Sequence, residues 1–538
     1  MIRGVVVAGL LAGTCGIPTV SARAAGAVPE STRFVVVPPC RLIDTRAGAG
    51  LGAGQELELD VAGACGVPAG AVAAALTVTV TATGGPGFAS VFPADVGRPQ
   101  ASTSNWDQPG QTRANTALVQ LSDGGAVRIW ASSPTHVVVD VAGAFVPAAA
   151  SAAGRYVPIT SQRVVDTRAP GAPDPGPPIT VALPAGVPAD ATALAVNLTL
   201  TETTGFDFVT AYAAGSAAPR TSVLNADGTG QTRAAGAIVA VSPGGITLAT
   251  AFGSHLVVDV VGFFTGASAP TSDAGLFVPV VPTRALDTRS TTPLLYHRGA
   301  REIDVLGVTG GPVAAVAANW TLTQTTRPGW LATYPARTSR GEASTINSDA
   351  AGQTVANLGI VAVSDVGITA YSDGGTHLVV DVTGWFTGAP VQATEPAPPP
   401  NDPPALPGCF PTGRSAVADK MAQRFWLCVD GVAITESLPM TTGALSYALP
   451  LVGTYTVFSR QRYGRGLHGE VLNHFVAFYR TPRGNRIGFH EVVNQDPSTL
   501  GDLDRRGSSA GCFRVLAADA VLIWNHLQYG DHVVVLTP

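Results

Sequence analysis

Lysine is almost missing from this chain: Lys420 is the only one among 538 residues, and the other cationic side chains are arginines. Charged residues make up only 13% of the sequence and leave a formal net charge of −5. The arginines are scattered, so there is no basic cluster of the kind that follows nucleic acid or an anionic bilayer. Beyond the first twenty or so residues no apolar run approaches the roughly 20 residues of a spanning helix, which argues against a membrane span. Cys/His zinc spacings and EF-hand carboxylate clusters are lacking too, which argues against a metal site. Leu-rich helical stretches are scarce. What is abundant is glycine (62), proline (42) and long Val/Thr/Ala alternations, the composition of a mainly β protein with many turns. The length exceeds the roughly 250–300 residues of one hydrophobic core, so several domains are expected.

The N-terminus reads as an export signal. Arg3 precedes an apolar stretch, Gly4 to Val20, and Ala22-Arg23-Ala24 forms a small-residue cleavage site, so residues 1–24 are expected to be removed. The destination is then the cell wall or the extracellular space. Cys15 leaves with this segment, and Cys40, Cys65, Cys409, Cys428 and Cys512 remain. An odd number in an oxidising compartment implies one free thiol. Local pairing of Cys40 with Cys65 and of Cys409 with Cys428 is the economical arrangement, and it leaves Cys512 free.

One motif returns three times: Arg41-Leu-Ile-Asp44-Thr45-Arg46, Arg163-Val-Val-Asp166-Thr167-Arg168 and Arg284-Ala-Leu-Asp287-Thr288-Arg289. Gly-Gln-Thr at Gly110, Gly230 and Gly352 keeps step with it. So do the closing runs that begin at His136, His255 and His377 and carry Asp140, Asp259 and Asp381. Inside each copy Leu76, Val78 and Val80, or Val196, Leu198 and Leu200, alternate with polar residues as in half-buried strands. The expected architecture is three tandem all-β modules, each a sandwich or barrel, over residues 32–147, 155–267 and 276–388. Separate modules are favoured, with one pseudo-threefold assembly as the alternative. An aspartate in a closing strand is costly to bury alone, so Asp140 is expected to find an arginine such as Arg46 as an internal brace in preference to a metal or a glycan. Loosely, the copies resemble Arg-Leu-x-Asp-Thr-Arg repeats of secreted proteins from high-GC Gram-positive bacteria. That resemblance implies a surface anchor or spacer, with cell-wall glycan as an additional partner.

Residues 389–408, with Pro396, Pro398 to Pro400, Pro403, Pro404 and Pro407, read as a stiff extended linker. The last module, 409–538, is strand-rich and has one short helix within the apolar run Val515 to Leu527. Cys512 precedes that run and follows Gly511, a poor setting for a core filler. A helix N-terminus stabilises negative charge, so a thiolate is expected there. His490 is the first candidate for its proton acceptor, and backbone N–H groups around Gly511 and Cys512 are candidates for an oxyanion site.

These residues resemble the catalytic domain of L,D-transpeptidases. That family carries a histidine, usually followed by glycine, and further on Ser/Thr-His-Gly-Cys with Asn or Arg two residues beyond the cysteine. Here His490 and Glu491 are followed by 17 residues and then by Ser509, Ala510, Gly511, Cys512 and Arg514. Thr441-Thr442-Gly443 resembles the family's Ser-Thr-Gly turn. Glu491 and Ala510 depart from the pattern. His468 and His474 are second-rank candidates, and of the histidines only His526 and His532 follow Cys512, which argues against papain-like folds. The resemblance implies a β fold with a short capping helix and a cysteine acyltransferase that needs no metal and no organic cofactor. Cys512 would attack the L-centre carbonyl of diaminopimelate in a peptidoglycan stem peptide, expelling D-alanine. His490 would take the thiol proton, and a second stem's amine would complete a 3→3 cross-link. Arg514 would brace the loop or meet a substrate carboxylate. Water as acceptor would make the domain an L,D-carboxypeptidase, and lost catalysis would leave a wall-binding or adhesive protein.

Overall fold

The computed structural model describes residues 30–290, 294–309, 313–395, 406–442, 450–466, 469–493, 500 and 511–536. In the front part each copy is a sandwich. The opening strands Thr32–Asp44, Tyr156–Asp166 and Phe277–Asp287 carry the arginine motif at their ends and run antiparallel to the closing strands His136–Pro147, His255–Phe264 and His377–Thr387. Two further strands complete each inner sheet, and a second four-stranded sheet packs over it. The Leu/Val positions of the alternating strands fill a separate core in each copy.

The opposite, Thr/Ala/Asn face of those strands is where the structure departs from the expectation of half-buried strands in separate modules. Ala73–Thr81, Ala193–Thr201 and Val313–Thr323 are buried along almost their whole length on both faces, because the three copies close around a common centre. Ala73, Ala75, Ala193, Ala195, Ala315 and Ala317 line that centre with Phe34, Phe145, Tyr156, Phe264, Phe277 and Phe386. The six rings form a closed circuit. Centroids are 5.2 Å apart from Phe34 to Phe145, 4.5 Å on to Phe277, 5.0 Å to Phe386, 4.4 Å to Tyr156, 5.4 Å to Phe264 and 4.5 Å back to Phe34. A main-chain pairing at Thr32 and Phe277 joins the first and third inner sheets into one of eight strands. Alanine is small enough to let the sheets meet, and only the assembled centre covers the aromatics.

The recurring polar residues are consumed in this assembly. Asp140 is held by Arg41, at 2.8 and 3.2 Å, not by Arg46, which binds Asp44 instead. The register sets this, since Arg41 lies directly opposite Asp140 across the strand pair. Arg163 with Asp259 and Arg284 with Asp381 repeat the contact. Each of these arginines also donates to a carbonyl of the next copy: Arg41 to Arg220, Arg163 to Glu342 and Arg284 to Gln100. The threonines after Gly-Gln bond likewise around the ring, from Thr112 to Asp227, Thr232 to Asp349 and Thr354 to Asp107.

In the C-terminal part the hairpin Arg414–Asp419 and Arg424–Val429 pairs in parallel with the last strand, His532–Leu536, which is flanked in turn by Gly453–Thr456. A second sheet runs Ser459–Arg465, Val471–Arg480, Arg486–Glu491 and Phe513–Val515, its last pair parallel. Phe489, Phe513, Val515, Phe478 and Ile523 of the helix Ala517–His526 belong to one core between the sheets. Cys40 is bonded to Cys65 and Cys409 to Cys428, and Cys512 is in no disulfide. Arg327 of the third copy is ion-paired with Glu436, and Ala351 packs into the C-terminal core. Most of the prolines expected to form the stiff linker, Pro396 to Pro404, lie outside the described residues. Among the described residues no helix is long and apolar enough to cross a membrane.

Candidate active site

The strand Arg486–Glu491 is the second from the edge of the four-stranded sheet, and its residues alternate between two environments. Ile487 and Phe489 are buried, and Phe489 enters the core between the sheets. His490 takes the other face. On the parallel neighbour, Phe513 and Val515 enter that same core, while Arg514 sits beside His490 in the register and Cys512 immediately precedes the strand. Period-two alternation therefore places the thiol, the imidazole and the guanidinium on one face. Phe475 links them: its ring lies edge-on to His490 with centroids 6.1 Å apart, and Cys512 packs against the Leu472, Phe475 and Ala477 cluster.

His490 is buried, 4% exposed. Its Nδ1 lies 2.6 Å from the Glu491 carbonyl oxygen. A carbonyl can only accept, so Nδ1 carries the proton and Nε2 is left as the basic nitrogen. Burial pushes this imidazole down to about 4, against which the Glu491 carbonyl works only weakly. At neutral pH it is an uncharged proton acceptor.

Cys512 is half-buried, and burial pushes its thiol up. The Gly488 N–H and the charge of Arg514 act in the opposite direction, and Glu470 adds to the rise. The expectation of a thiolate held by a helix N-terminus is therefore corrected. The strand Phe513–Val515 and Leu516 intervene before the helix begins at Ala517, and a helix dipole acts only over its own first turn. At rest the thiol is protonated, its S–H directed to the Arg486 carbonyl oxygen at 3.9 Å.

Sequence reasoning missed two supports. A Cβ on Gly488 would stand 2.1 Å from the Val476 carbonyl oxygen, so only glycine allows the neighbouring strands to approach while its N–H faces Cys512. A glycine inside a strand was the available signal. The second support is Gln423, buried behind the site. Its carboxamide accepts from Thr442 N at 2.9 Å and donates to Thr442 Oγ1 at 2.8 Å. Thr441 in turn exchanges two 2.9 Å main-chain hydrogen bonds with Arg514, so Gln423 fixes the strand that flanks the thiol. Lys420, the lone lysine, is buried beside it and donates to the Pro450 carbonyl at 3.2 Å.

The remaining candidates separate. His474 has a left-handed φ of 52° and lies against Trp524 of the helix, centroids 5.9 Å apart, away from the Cys512 face. The left-handed backbone at His474 interrupts the alternation without shifting the register, so Leu472 and Phe475, three residues apart, share one side. His526 braces the Ser415 and Cys428 carbonyls and His532 stacks on Phe410. Gly511 adopts φ 121°, a region that favours glycine. Ser509, Ala510 and His468 lie outside the described residues. Among the described residues there is no cluster of three or more His, Cys, Asp or Glu able to hold a metal ion.

The site thus offers a thiol, a neutral imidazole and a guanidinium on one face of a β sheet, with one helix capping the opposite face. Residues 413–535 match the family model of the YkuD L,D-transpeptidase catalytic domain. The chain accordingly carries a C-terminal YkuD-like L,D-transpeptidase domain and is classed as an enzyme on that match. Among solved structures, the chain is similar to an L,D-transpeptidase (Yku) from Stackebrandtia nassauensis, at 23% identity over 23% of this chain and 56% of that one, with a TM-score of 0.20. It is also similar to an L,D-transpeptidase from Mycobacterium tuberculosis H37Rv, at 21% identity over 32% and 73% of the two chains and a TM-score of 0.19. A third is an L,D-transpeptidase from Mycobacterium smegmatis, at 15% identity over 48% and 100%, with a TM-score of 0.20. The chain thus spans little more than half of the first of these, and at such TM-scores none of the three bears on the chemistry. No curated protein matches the chain.

Proposed function

We propose that this protein is an exported peptidoglycan L,D-transpeptidase that works through a Cys512 thioester, with the threefold front as its wall anchor or spacer. The observation that carries the reading is the placement of Cys512 and His490 on one face of adjacent parallel strands inside the segment that matches the family model. Both groups are uncharged at rest, so thiol deprotonation and carbonyl attack are coupled. Nε2 of His490 takes the proton as sulfur bonds to the L-centre carbonyl carbon, and the same proton leaves with the D-alanine amine. A second stem's amine then bonds to the thioester carbonyl carbon as the C–S bond breaks, its proton passes through His490 back to the Cys512 sulfur, and the product is a 3→3 cross-link. Arg514 favours the step by stabilising negative charge near sulfur, and backbone N–H groups at Gly511 and Cys512 would face the oxyanion. General-base assistance of this kind contributes roughly 10²–10⁴ in rate.

The test is intact-mass measurement of the mature chain after exposure to a stem tetrapeptide and to a carbapenem. One covalent adduct on the wild-type chain, none on Cys512→Ala, and release of D-alanine are expected. A wild-type chain that forms no adduct and releases no D-alanine would leave the front part as the functional portion.

A further inference from the structure

Two joints of the front assembly are not equally filled. After the motif-strand residues that pair with the closing strand, each copy leaves three residues out of register: 37–39, 159–161 and 280–282. The third is Pro39 in the first copy and Pro282 in the third, but Ser161 in the second. Pro282 lines a joint between the third and first copies whose void is only about 20 Å³. Ser161 lines the corresponding joint between the second and third copies. There a small void of about 60 Å³ adjoins a cleft of about 360 Å³, within the range of small-molecule sites.

The cleft has a definite chemistry. Ile159, Val261, Ile360 and Val361 supply an apolar wall. The Ser161 hydroxyl is shielded from solvent and has no hydrogen-bond partner, an expensive state unless something else bonds to it. At the mouth, the Arg340 guanidinium lies 4.0 Å over the Tyr371 ring and 5.3 Å from that of Trp330. The aromatic pair holds it in place while its N–H edge is open to a planar anion. The neighbouring Glu395 carboxylate is occupied by the Ser339 hydroxyl at 2.5 Å.

We propose that this cleft binds a small amphipathic carboxylate, its apolar body against Ile159, Val261 and Ile360 and its anion on Arg340. Arg340 supplies the cationic side chain of the lining and Glu395 lies nearby, so the cleft matches a monoanion better than a phosphate or an extended polyanion. The site lies in the front assembly and does not depend on the Cys512 chemistry.

Isothermal titration of the mature full-length protein with decanoate and with decanol tests it. Decanoate should saturate at one equivalent and bind at least tenfold more tightly than decanol, and Arg340→Gln should remove that difference. Ser161→Pro, which restores the residue of the other two copies, should abolish both. Ala343→Phe fills the same cleft from the facing loop and serves if the proline variant does not fold. Decanoate uptake that is non-saturable, equal to that of decanol, or undiminished in a folded cleft-filling variant would overturn the proposal.

Discussion

Cys512 and His490 illustrate how burial sets reactivity at the scale of single side chains. A thiol whose deprotonation is opposed by burial is a poor target for small electrophiles until a substrate brings its own carbonyl to the imidazole. Alkylation by iodoacetamide should therefore be slow at pH 7 and should keep rising beyond pH 9, where an ordinary cysteine levels off. A rate that plateaus below pH 8 would show a thiolate at rest. His490 makes a second prediction. Its folded value of about 4 lies below the ordinary 6.5, so between these values the unfolded chain binds the extra proton and stability rises with pH. The contribution of His490 is present above about pH 6.5 and lost as pH falls towards 4, on the order of 3 kcal/mol. Asp519, pushed up to about 6 by burial, acts with opposite sign and offsets most of it, but His526, pushed down to about 4 by burial, adds a contribution of the same sign as that of His490. Chemical denaturation should show the C-terminal domain weakening from pH 7 to pH 4, and less so in a His490→Gln variant.

At the scale of elements, the site depends on strands that are themselves held from behind. Gln423 lies 89 positions before Cys512 in the chain and acts on it through Thr442, Thr441 and Arg514. Gln423→Ala would strand the buried Thr442 N–H and hydroxyl, a cost of about 1–3 kcal/mol. The flanking strand should then loosen, with acylation by a carbapenem slowed about tenfold or more. Iodoacetamide alkylation of the same thiol should be unchanged, because it needs no aligned flank. Equal losses in both reactions would mean a general unfolding of the domain. The element reading from sequence was good for strands with clean alternation, such as Ala73–Thr81 and Ala193–Thr201. It was poor for the stretch after Cys512: the apolar residues Phe513 and Val515 suit a helix face and a strand face equally, and the sheet decides between them.

For the whole molecule, the front is one object closed by six aromatic rings, and its arginine motifs serve as ties between copies. Removing Phe264, which touches rings from the first, second and third copies, should cost about 3–5 kcal/mol. The loss should be cooperative across residues 32–388. Hydrogen exchange is the measurement: faster exchange confined to the second copy would mean that the copies unfold independently. The ring contacts are hard to see in sequence because their partners lie more than 100 residues apart, and the threonine faces that meet other copies look like solvent faces.

By itself the sequence determined the periodic features: the threefold repeat, the strands of alternating character, the local cysteine pairs and the spacing of His490 from Cys512. Each of these depends on contacts close in the chain or on patterns copied along it. Tertiary structure alone decided which arginine meets Asp140, that polar strand faces are buried between copies, that Gln423 supports the site, and that Cys512 rests as a thiol. Those outcomes depend on register, closure and burial, which arise only when segments distant in the chain exclude water together.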